Sequence, residues 1–223
     1  DTERELVKNV TRIFHEANKK VAVVLNVGGV IETQSWKEMP DAILLSWQAG
    51  QEGGNSVADI LTGHANPSGK LPMTFPVTLS DHWSSLNFPI DQKIDRRWSV
   101  KTGLTHETKN VDYTIYDEGI YVGYRWFDTR NLQVSYPFGY GLSYTDFVYG
   151  DLQLSSETLP KNGTLTASVT VTNRGDCDGY ETVQIYLRDI YAEVARPVKE
   201  LKDFARVPLK AGESQVVNFK ITP

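Results

Sequence analysis

Two runs of apolar residues that lack polar alternation constrain the fold of this chain more than any other feature. The first run is Val21–Val27, which ends at Gly28 and Gly29, and the second run is Ala42–Trp47. Strands that are apolar on both faces are typical of parallel sheets, because the crossover helices of such sheets cover both faces. The two runs therefore predict neighbouring parallel strands, buried on both faces, in an α/β domain.

Helical patterns flank these two strands. The spacing of five apolar residues predicts a helix over Thr2–Ala17: Leu6, Val10, Ile13, Phe14 and Ala17. A glycine-rich loop at Ala49–Gly54 precedes a second, shorter helix predicted over Asn55–Leu61. This order of elements is part of an open α/β sheet. Because sheets usually have about five or six strands, we expect further strands before residue 1.

The pattern changes after Gly150, where short stretches of alternating polarity predict strands. The predicted strands are Phe147–Leu154, Leu165–Thr172, Thr182–Leu187, Leu201–Val207 and Gln215–Ile221. Turn signals separate them at Lys161–Gly163, Asn173–Gly175 and Lys210–Gly212. The pattern predicts an all-β sandwich. Since such sandwiches have about seven strands, we also expect strands after residue 223.

These patterns divide the chain into three parts. We expect residues 1–76 to form an α/β domain that is incomplete at its N-terminus, residues 77–144 to form an aromatic-rich connecting region, and residues 145–223 to form a C-terminally incomplete β-sandwich. The connecting region carries many aromatic residues: Trp83, Trp98, Tyr113, Tyr116, Tyr121, Tyr124 and Trp126. Long connections of this kind are usually packed onto a neighbour or functional.

Composition excludes several classes of function. The net charge of -5 and the absence of a Lys/Arg cluster argue against nucleic acid as a partner. The longest purely apolar run, Val21–Leu25, is too short to span a bilayer. Gly28 and Gly29 lack the full glycine spacing of a dinucleotide site, so we expect no cofactor. We also expect no metal, because the lone Cys177 and the histidines have no ligand spacing: His15, His64, His82 and His106.

Several motifs in series resemble glycoside hydrolase family 3 of the β-glucosidase type. Motifs similar to its second domain are Gly50–Leu61, Asn66–Pro76, Tyr116–Asp128 and Tyr136–Tyr144. Segments similar to its third, fibronectin type III-like domain are Val169–Gly175, Glu181–Arg188 and Glu200–Phe204. The resemblance covers nearly the whole chain. It implies an α/β open sheet followed by an all-β fibronectin type III-like sandwich.

The resemblance also implies a chemistry. Members of the family are mostly retaining enzymes, which use two carboxylates about 5 Å apart as nucleophile and general acid/base. By resemblance, the nucleophile is an aspartate of an N-terminal (β/α)8 barrel domain, and the acid/base is a glutamate in a loop shortly before the helix at Thr2–Ala17. Neither pattern occurs in this sequence. We therefore expect both residues to precede residue 1, and we assign no catalytic, cofactor-binding or metal-binding residue to this chain.

Three loop carboxylates are weaker candidates for catalysis. Glu52 lies in the glycine-rich loop, at an edge where ligands of open α/β sheets bind. The alternative is that the Glu52 carboxylate accepts backbone N–H bonds at the start of the following helix, and the family pattern favours this alternative. Glu32 and Glu118 have still weaker claims. Four tryptophans are candidates for stacking on sugars, although most tryptophans serve packing: Trp36, Trp47, Trp98 and Trp126.

Two functions of different classes remain open. The first is exo-acting hydrolysis of terminal β-linked glucose or a related sugar by the full-length enzyme, with a glucoside or oligosaccharide substrate; β-xylosidase is the alternative within this class. The second is a non-catalytic carbohydrate-binding or scaffolding module. Family habit favours a periplasmic or secreted bacterial protein. The discriminating feature is a barrel with an aspartate nucleophile upstream of this chain.

Overall fold

The computed structural model of the protein describes residues 2–87, 116 and 118–223. The helices are α1 (Thr2–Glu16), α2 (Gly53–Thr62), α3 (Ser84–Asn87) and α4 (Tyr124–Thr129), with a 3-10 turn at Leu79–Asp81. The strands are β1 (Ala22–Leu25), β2 (Ala42–Leu45), β3 (Phe75–Pro76), β4 (Val134–Tyr136), β5 (Phe147–Tyr149), β6 (Gln153–Leu154), β7 (Leu165–Asn173), β8 (Gly179–Leu187), β9 (Glu200–Leu209) and β10 (Ser214–Ile221). Trp98, His106 and Tyr113 lie outside the described residues.

The chain forms two compact units. The first unit comprises Asp1–Ala49, Met73–Phe138 and Tyr191–Val198, and the second comprises Gly50–Pro72, Gly139–Ile190 and Lys199–Pro223. Helix α2 thus belongs to the same unit as the strands β5 to β10. The three-part division of the chain at residues 76 and 144 stays a prediction. In the described part of the chain, no helix has the length and apolar character needed to cross a membrane.

The first unit contains the predicted parallel pair. Strands β1 and β2 pair in parallel, with Ala22 opposite Ala42 and Leu25 opposite Leu45. The prediction that both faces of these strands are buried is wrong for the described residues. Every residue of β1 and β2 is exposed or half-buried, and the Val24 side chain is 40% exposed. The apolar run predicted the strands correctly. However, the described residues leave the side chains of both strands partly exposed.

Helix α1 also buries little. It begins at Thr2 as predicted and ends at Glu16, one residue before the predicted end at Ala17. Thr11 is its one buried residue, whereas Leu6 and Ile13 are more than half exposed. The amphipathic pattern therefore predicted the helix correctly, although the apolar stripe has little contact with the described residues.

Aromatic side chains form the core of the first unit. Phe75 on β3 and Phe127 on α4 are each 2% exposed, and Trp36 is 8% exposed. Strand β3 pairs antiparallel with β4, which brings the Phe75 ring edge-on to Tyr136 at 6.3 Å between centroids. Of the aromatic residues named for the connecting region, Trp83 and Trp126 pack edge-on against each other at 4.6 Å between centroids, whereas Tyr116 is 83% exposed.

The second unit contains the antiparallel sandwich. Strand β7 pairs with β10 on one side and with β5 and β6 on the other, while β8 pairs with β9. The buried core consists of Val171, Val183, Val207, Leu209, Val217 and Phe219. These residues alternate along their strands with more exposed positions, as a half-buried sheet requires. The prediction of an α/β part followed by an antiparallel β-sandwich is confirmed.

The single strand predicted at Phe147–Leu154 is wrong, because the structure has two short strands there. Both β5 and β6 pair with β7, opposite Asn173 and Ala167 respectively at their outer ends. Between them, the Gly150 N–H donates to the carbonyl of Thr170 at 2.8 Å, and regular pairing then stops. The interruption changes the number of strands in residues 145–223 from the five predicted to six.

One carboxylate joins the ends of α1, β1 and β2. Asp41 accepts hydrogen bonds from the Lys20 ammonium at 2.7 Å and from the Val21 N–H at 2.9 Å. The ring Nε2 of His15 lies 2.8 Å from the same carboxylate. The hydrogen bond from Lys20, together with those from Val21 and His15, holds the pKa of Asp41 well below its ordinary value. The ionised carboxylate therefore favours the folded state.

We expect Asp41→Asn to lower the stability of the first unit and to weaken its acid sensitivity. A carboxylate whose folded pKa is depressed stabilises the protein above its ordinary pKa of about 3.9, and this contribution is lost as the pH falls below that value. Urea unfolding of the full-length protein between pH 7 and pH 3 measures the effect. Glu16→Gln is the control, because its ion pair with Arg12 is solvent-exposed. Parallel stability curves for the wild type and Asp41→Asn below pH 5 would contradict the assignment.

Candidate functional site

Strands β1 and β2 end at the same level, which defines a candidate edge. Both the N–H and the hydroxyl of Ser46 donate to the carbonyl of Leu25, at 3.0 and 2.9 Å. The residues that follow the two strands, 26–29 and 46–49, therefore form the carboxyl edge of this parallel pair. In open α/β sheets, ligands bind outside the carboxyl ends of the strands. This edge is the part of the first unit where a ligand contact is expected.

Glu52 lies immediately before α2 and is exposed to solvent. Its carboxylate accepts a hydrogen bond from the Asn55 side-chain amide at 2.7 Å and makes no capping bond to the helix backbone. The prediction that it accepts backbone N–H bonds is therefore wrong, because Asn55 takes the place of the backbone donors. A general acid works best where burial favours its protonated form. Glu52 is exposed and has no such burial.

The other two loop carboxylates differ from each other. Glu32 accepts hydrogen bonds from the N–H and the hydroxyl of Ser35, both at 2.7 Å, and so stabilises the turn that follows it. In Glu118, Oε2 is buried and has no hydrogen-bond partner among the described residues. The Glu118 carbonyl accepts from the Tyr121 N–H at 3.0 Å. Glu32 is thus a turn-stabilising residue.

Asn66 makes side-chain contacts that the sequence did not predict. Its Oδ1 accepts from the Ser143 hydroxyl at 2.9 Å and from the Tyr144 N–H at 2.8 Å. Its Nδ2 donates to the Asp178 carbonyl at 3.0 Å. These side-chain bonds hold the segment against residues that precede β5 and β8. Since the partners are distant in sequence, no local pattern indicates them.

The glycines of the motif Tyr136–Tyr144 have a packing role. The Leu71 N–H donates to the Tyr140 carbonyl, and the Gly139 N–H donates back to the Leu71 carbonyl, both at 2.8 Å. Gly139 has a φ of 79°, which favours glycine. A Cβ on Gly141 would lie 2.1 Å from the Gly69 carbonyl oxygen, so no other residue fits. The two family motifs therefore interlock through their backbones.

A buried ionic network fixes the same segment. The Lys70 ammonium lies 3.2 Å from Oε2 of Glu181 and donates to the Gly141 carbonyl at 2.8 Å. The side chains of Lys70 and Glu181 are 15% and 10% exposed. The Tyr149 hydroxyl donates to Oε1 of Glu181 at 2.8 Å. Burial, with the Glu181 carboxylate as acceptor, raises the pKa of Tyr149 well above its ordinary value. The Tyr149 hydroxyl therefore keeps its proton at neutral pH.

The candidate tryptophans lie in different environments. Trp36 is buried and donates its indole N–H to the Glu32 carbonyl at 2.9 Å. Trp126 donates to the Asp81 carbonyl at 2.9 Å and packs edge-on against Trp83. Trp47 follows β2 at the carboxyl edge and is half-buried. Of the described candidates, Trp47 alone lies at this edge.

The remaining candidates offer little chemistry. Cys177 lies in the loop between β7 and β8, with its Sγ 3.4 Å from the Tyr144 carbonyl. His82 belongs to the first unit, and its ring packs edge-on against Phe127. Burial there lowers the pKa of His82. Among the described residues, no three histidine, cysteine or acidic side chains are placed to hold a metal ion.

The chain thus combines a parallel α/β element with an antiparallel sandwich. Comparison with known families identifies matches for both parts. The family model described as the glycosyl hydrolase family 3 C-terminal domain matches residues 1–124. The model described as a fibronectin type III-like domain matches residues 181–223. The chain belongs to glycosyl hydrolase family 3.

Individual relatives agree with this assignment. The chain is 42% identical to an exo-α-(1→6)-L-arabinopyranosidase of Bifidobacterium longum over 90% of this chain and 24% of the relative. It is 41% identical to a periplasmic β-glucosidase of Salmonella typhimurium over 91% of this chain and 24% of the relative. The structure of β-glucosidase 3B from Thermotoga neapolitana in complex with glucose matches with a TM-score of 0.81 and 42% identity, over 99% of this chain and 28% of that chain. The chain thus spans about a quarter of the length of the relatives it matches.

We expect Glu181→Gln to lower the free energy of unfolding of the second unit by about 2–3 kcal/mol, because it leaves the mostly buried Lys70 charge without its counter-ion. The double variant with Lys70→Met is expected to cost less than the sum of the single changes. Urea unfolding of the full-length protein measures both.

The control for this cycle is Asp59→Asn on α2. Asp59 and His64 are exposed and 4.0 Å apart, so the change is expected to cost less than about 0.5 kcal/mol. Strict additivity of Lys70→Met and Glu181→Gln would show that the two side chains do not stabilise each other.

Proposed function

We propose that the full-length protein carrying this chain is a retaining, exo-acting glycoside hydrolase that removes terminal β-linked glucose or a related sugar from oligosaccharides. The match of residues 1–124 to the family 3 C-terminal domain carries this proposal. The likeness to β-glucosidase 3B from Thermotoga neapolitana, with a TM-score of 0.81, supports it further.

The chemistry of such an enzyme requires two carboxylates about 5 Å apart, one as nucleophile and one as acid/base. In the described residues, Glu52 is exposed and bonded to Asn55, and Glu32 is bonded to Ser35. These surroundings suit structural roles. We assign the catalytic pair to the part of the full-length protein that this chain does not span. The proposed role of this chain is to support that part and to contribute contacts to the substrate.

The sugar is the least constrained part of the proposal. The identities to an arabinopyranosidase and to a β-glucosidase are 42% and 41%, so identity does not separate the two specificities. β-Xylosidase activity is the alternative from the sequence, and a non-catalytic carbohydrate-binding or scaffolding module is the alternative of another class. A periplasmic or secreted location is proposed as well, supported by the relative named as periplasmic.

The full-length protein is expected to hydrolyse an aryl β-D-glucoside faster than an aryl β-D-xyloside or an aryl α-L-arabinopyranoside. The first sugar released is expected to retain its anomeric configuration, which proton NMR of the fresh product measures. The isolated 223-residue chain is the matched control and is expected to be inactive. Binding without hydrolysis of any of the three glycosides by the full-length protein would favour the non-catalytic alternative.

Glu52→Gln is expected to reduce activity of the full-length protein less than about fivefold, and equally for good and poor leaving groups. Loss of a general acid spares activated aryl leaving groups, because only poor leaving groups need protonation. The measurement is kcat/KM for a dinitrophenyl glucoside and for cellobiose. Asn55→Ala, which removes the partner of Glu52, is the control. A selective loss on cellobiose with restoration of rate by azide would identify Glu52 as the acid.

A further inference from the structure

Trp47 has a backbone conformation that a bulky residue rarely adopts. Its φ is 52°, in the left-handed region. The other non-glycine residues with positive φ in the described part of the chain are Asn18 and Asn131, and asparagine tolerates this region. Strain of this kind is concentrated at ligand-binding and active sites. The strained position is also the second residue beyond β2, at the carboxyl edge.

The Trp47 ring is held firmly but not enclosed. It packs against Phe75, with centroids 6.2 Å apart and planes inclined at 53°. Phe75 is 2% exposed and packs in turn against Tyr136, so the support is rigid. Trp47 itself is half-buried, and its indole N–H donates to no described residue. Trp47 therefore keeps some surface accessible to a ligand, together with an indole N–H that no described residue accepts from.

The next residue, Gln48, adds a side-chain amide to the same edge. Gln48 is exposed, and its side-chain amide lies against Gly28, where a Cβ would be 3.0 Å from Nε2. Gly28 follows β1, so the glycine makes room for the amide between the ends of the two strands. An amide offers two donors and one acceptor, which suits neighbouring hydroxyl groups. No described residue accepts from or donates to this amide.

The other described tryptophan candidates lack these properties. Trp36 is 8% exposed and its N–H is bonded to Glu32. The Trp126 N–H is bonded to Asp81, and its ring lies under the Arg130 guanidinium at 5.2 Å. Both rings are engaged within the first unit.

We propose that Trp47 and Gln48 form a sugar-contact surface, in which a pyranose ring stacks on the indole and its hydroxyl groups bond to the amide. The combination of an aromatic face with a few placed polar groups is typical of small-molecule sites. The inference rests on the proposed glycoside hydrolase function, for which the two residues orient the substrate and determine how strongly its sugars bind. Neither residue takes part in bond cleavage.

The test measures KM and kcat of the full-length protein with cellotriose. Trp47→Ala is expected to raise KM about tenfold, equivalent to about 1.4 kcal/mol, with kcat within twofold. Gln48→Ala is expected to raise KM about threefold. Trp126→Phe is the matched control: it loses the indole N–H bond to Asp81, so it is expected to lower Tm and leave KM unchanged. Trp47→Gly, which removes the ring and relieves the positive φ, replaces Trp47→Ala if that variant does not fold. An unchanged KM in folded Gln48→Ala and Trp47→Gly variants would overturn the proposal.

A binding measurement separates this proposal from the proposed function. Calorimetry with a sulfur-linked cellotriose, which is not hydrolysed, gives Kd for the full-length wild type and the same variants. If the wild type cleaves no glycoside but binds this ligand, and Trp47→Gly weakens binding about tenfold, the proposed function fails and the sugar-contact surface stands. If the wild type cleaves glucosides and the variants bind the ligand as the wild type does, the sugar-contact surface fails and the proposed function stands.

Discussion

The arrangement of α1, β1 and β2 in the first unit depends on the hydrogen bonds to the Asp41 carboxylate. This carboxylate accepts from the end of α1 and the start of β1 at the point where β2 begins, so it fixes the relative height of all three elements. The parallel register follows from this height, and with it the level at which Leu25 and Leu45 end their strands. The carboxyl edge, and Trp47 within it, therefore owe their position to an ion-pair cluster at the opposite ends of the strands.

In the second unit, motifs that are signatures of a hydrolase family have a structural use. The segment that carries Glu52 continues through α2 to Asn66, Lys70 and Leu71, and each of these three residues bonds to the sandwich part of the unit. Gly141 is needed because a carbonyl lies where a Cβ would be. These motifs are therefore explained by the packing contacts between them. A glycine-rich loop beside a glutamate is by itself weak evidence of catalysis.

Elements with a local periodicity could be predicted from the sequence. Features that depend on contacts between residues distant in sequence could not. Helix α1 and strands β7 to β10 follow from periods of 3.6 and 2, and their ends agree within about three residues. The pair β3 and β4 has two and three residues, too few for any periodicity. The contacts of Asn66 have no local signal, because its amide bonds to Tyr144, 78 positions away. For the site, the sequence included Trp47 among four candidates, but its φ and the contact with Phe75 are tertiary properties.

The energetics of Trp47 argue for a role beyond packing. A left-handed conformation at a bulky residue costs of order 1–3 kcal/mol. The aromatic contact with Phe75 contributes about 0.5–1.5 kcal/mol beyond area burial, and the burial of part of the side chain offsets part of the rest. Glycine would avoid the strain at this position, yet it would leave Phe75 less covered and remove the indole. Packing thus explains why the conformation is tolerated. The proposed sugar-contact surface, which would use the partly exposed indole and its N–H, gives a reason for an aromatic residue in this conformation at the edge of the sheet.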